Sequence, residues 1–388
     1  GWLRIQENAP LRLCASIFIS DNIIKEYIAN NGINLGNYQR ILFLGNGTNG
    51  ACSFVGRSDV IIDGNSYSLS QTWISLDLTH AIPFDPYPFQ WSYFDFVLAH
   101  ELGHALGVMH ANGWDCGEQT LYGSDCQHLE YGNKFDNMGV SEYSLHFNAY
   151  FKEALGWVDQ NRILTIKKSG RYSINNLESS SGIAFAKIQI LDSNKTPFYL
   201  EHRKGVGFDS RLNEPELVKN QAGLFVNLID KERRPLSSRL LDMNPTSLPW
   251  ELDIKQTTLN APNVFKDPGR GITIGPIVNT TKQGITFDVI LQKPSCVRQK
   301  PTVYFSDEYS YTFSIGFQGI VFISIQNNDS FTCGSSRFRI NPILPPTWEH
   351  ASLEEIEISP DATRLIRMNF TVPINAAPGE YSMKFEVT

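Results

Sequence analysis

A chain of 388 residues, 41% of them hydrophobic, is long enough for two or three domains with real cores. It contains no run of 18 apolar residues, which excludes a transmembrane helix. The net charge is −7, and the acidic excess falls before Val158, with seven basic against sixteen acidic side chains. That balance argues against nucleic acid or anionic membrane as a partner.

In chain order, Leu11–Ser20 alternates and is rich in β-branched residues, which predicts a strand. Asp21 caps a predicted helix that stops at Asn30-Asn31-Gly32. Tyr38–Leu44 is a nearly continuous apolar run and reads as a central strand. Gly45–Gly50 reads GNGTNG, but no Lys-Ser/Thr follows, so it is a turn and not a phosphate loop. Val60–Ile62 and Ser70–Leu78 are further strands, and the proline-rich stretch His80–Trp91 is a loop. A helix is expected from Ser92, with Phe94, Leu98, Leu102, Ala105 and Leu106 on its core face.

That helix carries the chemistry. Residues 100–110 read HELGHALGVMH. His100 and His104 stand four apart, so both imidazoles leave one helical face and can reach one metal ion. Gly107 can adopt positive φ, end the helix and turn the chain so that His110 reaches the same ion. Three neutral histidines with one open position describe a catalytic zinc site. Zinc acidifies a bound water and polarises a carbonyl, and Glu101 is placed to take the water's proton and pass it on. The chain has only eight histidines, so three at this spacing are not a chance arrangement.

Downstream, Tyr131-Gly132-Asn133-Lys134-Phe135-Asp136-Asn137-Met138-Gly139 follows. The histidine pattern together with this methionine turn resembles the metzincin zinc endopeptidases, and the run before Met138 is similar to the gametolysin family. Leu155-Gly156-Trp157 extends the likeness. The resemblance implies a fold of α+β class over 1–158, a twisted mixed sheet plus the zinc helix, with Met138 as an apolar floor under the histidines. It implies that Ser70–Leu78 is an edge strand on which substrate adds as a further strand, through Trp73, Ile74 and Ser75. Val140 stands where astacins and serralysins carry a ligating tyrosine, so three protein ligands are expected, with Tyr143 a candidate pocket wall or oxyanion donor. Ser141–Gly156 reads as an amphipathic helix packed beneath the site.

Between His110 and Met138, the residues Asp115, Glu118, Asp125 and His128 are candidates for a calcium ion, although their spacing matches no EF-hand loop. Six cysteines suggest an oxidising compartment and secretion, and the simplest pairing is sequential: Cys14–Cys52, Cys116–Cys126, Cys296–Cys333. The chain opens Gly1-Trp2-Leu3-Arg4, which reads as a mature or trimmed start without a signal peptide.

From Asp159 short alternating runs separated by turn residues predict an all-β, sandwich-like domain to Ser295, with His202 structural. Residues 296–388 read as a second all-β domain resembling the immunoglobulin-like modules of bacterial secreted enzymes. The expected function is a secreted zinc endopeptidase acting on internal bonds of extracellular proteins or glycoproteins. The rivals are a binding protein that keeps this fold and a zinc amidase.

Overall fold

The computed structural model describes residues 22–388 except 47–49, 54–55, 63, 77–88, 123–125, 140–144, 190–196, 230–235, 306–313, 346, 351–354, 361 and 382. The strand expected at Leu11–Ser20, the Cys14–Cys52 pairing, Asp125 and Tyr143 therefore lie outside what is described. The described residues are mostly β, 39% strand against 17% helix, in several sheets.

Helix α1 (Asn22–Asn30) precedes β1 (Arg40–Asn46), β2 (Gly50–Ser53), β3 (Ser58–Ile62) and β4 (Asn65–Leu76). β4 is the hub. β1 runs parallel along one side of it, β2 antiparallel along the other, and β3 pairs with its first half. Among the described residues β4 lies between β1 and β2. One expectation is corrected here. The backbone at Trp73, Ile74 and Ser75 is paired on both sides, to Phe43, Leu44 and Gly45 and to Cys52, Ala51 and Gly50. A strand with both ladders filled has no free backbone groups for a substrate strand, and the Trp73 and Ile74 side chains are buried.

Helix α2 (Phe89–Leu106) packs on this sheet through Phe96 and Val97 against Ile74. Its buried face is turned from the one expected: Ala105 is buried as expected, but so are Phe96 and Val97, while Leu98, Leu102 and Leu106 are half-buried. A glycine and two histidines, Gly103, His100 and His104, fill much of the covered surface, because the other side of the helix faces the methionine turn.

Beyond the helix come β5 (Ala111–Asp115), β6 (Gln127–Leu129), α3 (Ala149–Ala154), β7 (Ile163–Ile166), β8 (Gly170–Asn175), β9 (Phe185–Ile188), β10 (Phe198–Glu201), β11 (Phe225–Ile229), β12 (Ser238–Leu241), α4 (Trp250–Asp253), β13 (Phe265–Asp267), β14 (Ile272–Thr280) and β15 (Gly284–Leu291). A seven-stranded sheet runs in the order β6-β5-β12-β11-β10-β9-β7, and a four-stranded sheet β13-β14-β15-β8 packs on it. Trp114, Leu200, Val226 and Leu241 from the first meet Ile174, Ile274 and Phe287 from the second in one core.

The division expected at 158/159 is therefore not where the packing divides. β5, directly after His110, pairs in parallel with β12, Ala111 opposite Ser238 and Trp114 opposite Leu241. A second core joins Val108, Ala111, Met138, Tyr150 and Phe151 to Phe185 and Tyr199. Among the described residues the predicted helix over Ser141–Gly156 is reduced to α3. Asn148 is its N-cap, its side chain accepting from Phe151 N, and ahead of the helix Leu145 N and Asn148 N donate to Asn137 and Asp136 of the methionine turn.

The last strands are β16 (Thr302–Phe305), β17 (Gln318–Gln326), β18 (Ser336–Phe338), β19 (Ile340–Ile343), β20 (Glu349–His350), β21 (Ile356–Ile358), β22 (Thr363–Thr371) and β23 (Lys384–Val387). They enclose their own core of Ile323, Ile325, Phe338, Met368 and Phe370. Cys296–Cys333 ties the connecting segment to it.

Candidate metal centre

The three histidines are brought together by a helix, a glycine and a return. The α2 helix presents His100 and His104 from successive turns, with ring centroids 4.8 Å apart. Gly107 takes φ +108° and reverses the chain. His110 then returns, and β5 begins one residue later. One ligand atom from each of the three lies within 4.8 Å of the others, and all three residues are buried. Among the described residues no other group of three His, Cys, Asp or Glu meets that geometry.

Each ring is held by its other nitrogen. His100 Nδ1 donates to Asn137 O at 2.8 Å and His104 Nδ1 to Val108 O at 2.9 Å. A carbonyl only accepts, so these contacts put the proton on Nδ1 and leave the Nε2 lone pair facing inward. His110 Nδ1 donates to the Glu130 carboxylate, which also takes His128 Nε2 at 3.2 Å. Those two hydrogen bonds hold the Glu130 carboxyl well below the usual carboxylate range. Burial, reinforced by His104, brings His100 down to about 3, so its imidazole is neutral.

These features fit a zinc ion. His104 Nε2 and His110 Nε2 approach to 3.1 Å with both protons on the far side of the rings. Two lone pairs at that distance repel unless a cation lies between them. Tetrahedral zinc with bonds of about 2.0–2.1 Å separates its nitrogens by roughly 3.3 Å. After His100 along the helix comes a carboxylate. Glu101 is 8% exposed, and its Oε2 is buried without a hydrogen-bond partner. Burial pushes this carboxyl up to about 7.

Below the rings lies Met138, fully buried. Gly103, between the two helical histidines, has no side chain because Met138 occupies the space: a Cβ there would fall 2.3 Å from its sulfur. The turn is held by Asp136, which accepts Met138 N at 2.7 Å and Asn148 N at 2.6 Å. Burial pushes Asp136 up to about 6 against the pull of those bonds.

Arg203, just past β10, clamps the same region. It is 1% exposed and donates to both Asp209 oxygens, to Phe135 O before the methionine and to His146 O after it. Asp209 accepts His146 N, and Glu201 accepts Ala149 N. Residues that read as belonging to a separate β-domain therefore form the underside of the metal centre.

Sequence reasoning named His100, His104, His110, Glu101, Gly107 and Met138, and the fold brings these six together. It missed Glu130, Arg203 and Tyr131, whose ring lies 3.8 Å from that of His110. Tyr131 has φ +61°, a local strain with no counterpart in residue type. Trp73 and Ile74 lie in the centre of the first sheet, and Tyr143 is outside the described residues. Cys116–Cys126 and Cys296–Cys333 are bonded as expected. Among the described residues the calcium candidates do not converge. Asp115 accepts Gly117 N to close a turn, Glu118 is exposed, and His128 is bonded to Glu130.

Compared with protein-family models, curated proteins and solved structures, the chain gives no significant match. No helix among the described residues is long and apolar enough to cross a membrane.

Proposed function

We propose that the chain is a secreted zinc metalloendopeptidase of metzincin type, resembling the gametolysin family, with extracellular proteins or glycoproteins as substrates. One observation carries this reading: three inward-facing imidazole nitrogens converge, and Glu101, next after His100 on the same helix, holds a buried carboxylate oxygen without a hydrogen-bond partner. His100, His104 and His110 would hold the ion through Nε2. A zinc ion there supplies a Lewis acid that acidifies water and polarises a carbonyl. Glu101 takes a proton from water and delivers it to the leaving amine. Glu130 fixes the His110 ring.

Since β4 is closed, an extended peptide adds at β2. Its outer ladder is unfilled among the described residues, and Gly56, just beyond it, donates to His104 O at 2.9 Å. The two disulfides suit an oxidising compartment.

The test is mass spectrometry of a broad peptide digest by the zinc-loaded chain and by Glu101→Gln. The expected result is internal cuts that a chelator abolishes, with Glu101→Gln holding one zinc but losing at least a thousandfold in rate. Zinc-loaded protein that makes no internal cut, or a variant that cuts at the native rate, would sink the reading.

A further inference from the structure

The loop from β12 into α4 carries carboxylates for which the metal centre has no use. It reads Asp242-Met243-Asn244-Pro245-Thr246-Ser247-Leu248-Pro249-Trp250-Glu251-Leu252-Asp253. Oxygen-bearing side chains stand at positions 1, 3, 5 and 12 of a twelve-residue stretch. Calcium loops of the helix–loop–helix type use that spacing. The loop departs from the type at position 5, where Thr246 stands for Asp or Asn, at position 6, where Ser247 replaces glycine, and at position 12, which is Asp in place of Glu, and a strand, not a helix, leads into it.

The fold closes the loop on itself. Thr246 N and Oγ1 each donate to Asp253 at 2.8 Å, so position 5 meets position 12. Asn244 N donates to Asp242 Oδ1 at 2.8 Å. Asp242 is 4% exposed, and its other oxygen, Oδ2, is buried without a hydrogen-bond partner. It lies against the Asp253 carboxylate. Asp115 adds a third negative charge from the end of β5, the parallel neighbour of β12. Among the described residues no Lys or Arg forms an ion pair with any of the three.

Two ionised carboxylates both accept, so neither can hydrogen-bond the other. Either a proton or a cation must lie between them. Burial, with Asp253 and Asp115 adding to it against the Asn244 N–H, pushes Asp242 up to about 7. The Asn244 side-chain oxygen is engaged by Asn263 at 2.7 Å, so Asp242 and Asp253 are the principal ligands.

We propose that this loop binds a hard divalent cation, calcium by preference, between Asp242 and Asp253. Oxygen donors without imidazole or thiolate select calcium over zinc. The site is independent of the histidine centre but braces it. Trp250, in the same loop, donates from Nε1 to Gly132 O at 2.9 Å and fills the space over Gly113. Gly132 follows Tyr131, whose ring meets that of His110 at 3.8 Å and a tilt of 36°.

The experiment uses the full chain with stoichiometric zinc and no chelator. Terbium is titrated with excitation of tryptophan, Trp250 being the antenna, and calcium is then used to displace it. Melting is followed with calcium alone and with magnesium alone. The expected result is terbium emission saturating at one equivalent and lost to calcium, with a calcium-dependent rise in Tm of several degrees. Asp242→Asn and Asp253→Asn should each weaken binding at least tenfold with zinc content unchanged. If the two carboxylates only share a proton, Asp242→Asn supplies the missing N–H, and neither protein responds to calcium up to about 10 mM, beyond the range of weak extracellular sites. That outcome, or variants that bind like the native chain, overturns the proposal.

Discussion

Arg203 offers the sharpest test of how the metal centre is held. Replacing it by Met keeps the volume of the stem and removes the charge and every donor. Asp209 and Glu201, each 1% exposed at the side chain, then lose their buried cation. Breaking a buried ion pair from one side costs about 3–5 kcal/mol, because the remaining charge is stranded in low dielectric. At about 2–4 °C per kcal/mol for a unit of this size, Tm should fall by about 10 °C. Calorimetry on the zinc-free chain reads this directly. Zinc affinity, measured by competition with a chromophoric chelator, should fall as well, since Phe135 O and His146 O lose the donor that ties them together. The double variant Arg203→Met, Asp209→Leu should recover most of the stability by removing the stranded charge, but not the zinc affinity. Arg203→Lys should fall between, since one ammonium cannot span acceptors on both sides of the turn. A loss under about 1 kcal/mol for Arg203→Met, or unchanged zinc affinity, would refute the clamp.

Three further outcomes are expected. Glu130→Ala should weaken zinc binding by about 10–100-fold with little change in fold, because His110 loses the carboxylate that orients its ring; native affinity in a zinc titration would rule that out. Gly103→Ala gains about 1 kcal/mol of helix propensity, but its Cβ meets the Met138 sulfur in a site with no room to move, and overpacking at about 1–3 kcal/mol wins. A denaturant melt showing a net gain would mean that Met138 is free to shift. His202 is fully buried and brought down to about 4 from 6.5 by burial, its Nδ1 bonded to Gly223 O. Its folded pKa is depressed, so its contribution is present above pH 6.5 and is lost as pH falls through 4. The loss amounts to about 3 kcal/mol. His202→Gln should flatten the stability profile over that window, and an unchanged profile would count against it.

The chemistry of the site was legible because it is local. His100, Glu101 and His104 need only one helix, and Gly107 only one reversal, so eleven residues contain their own geometry. Strand existence was readable for the same reason: Ile163–Ile166, Phe198–Glu201 and Ile272–Ile277 alternate, and each is found in a strand. Which strand pairs with which is not local. A strand of mixed polar and apolar residues such as Ser70–Leu76 suits an edge or a centre equally, and only the arrival of β1 and β2 on its two sides closes it. The parallel pairing of β5 with β12 joins residues far apart in sequence, so no linker composition near 158 betrays it. Arg203 reads as an ordinary strand-end charge until folding buries it under Phe135 and His146. The sequence by itself determined the histidine triad that could hold a metal, the carboxylate next to it in the chain and the order of strands along the chain, because these depend on residue type and short spacing. Only the tertiary structure decided the closed β4, the carboxylate behind His110 and the ionic clamp beneath the methionine, because those depend on distant segments meeting in low dielectric.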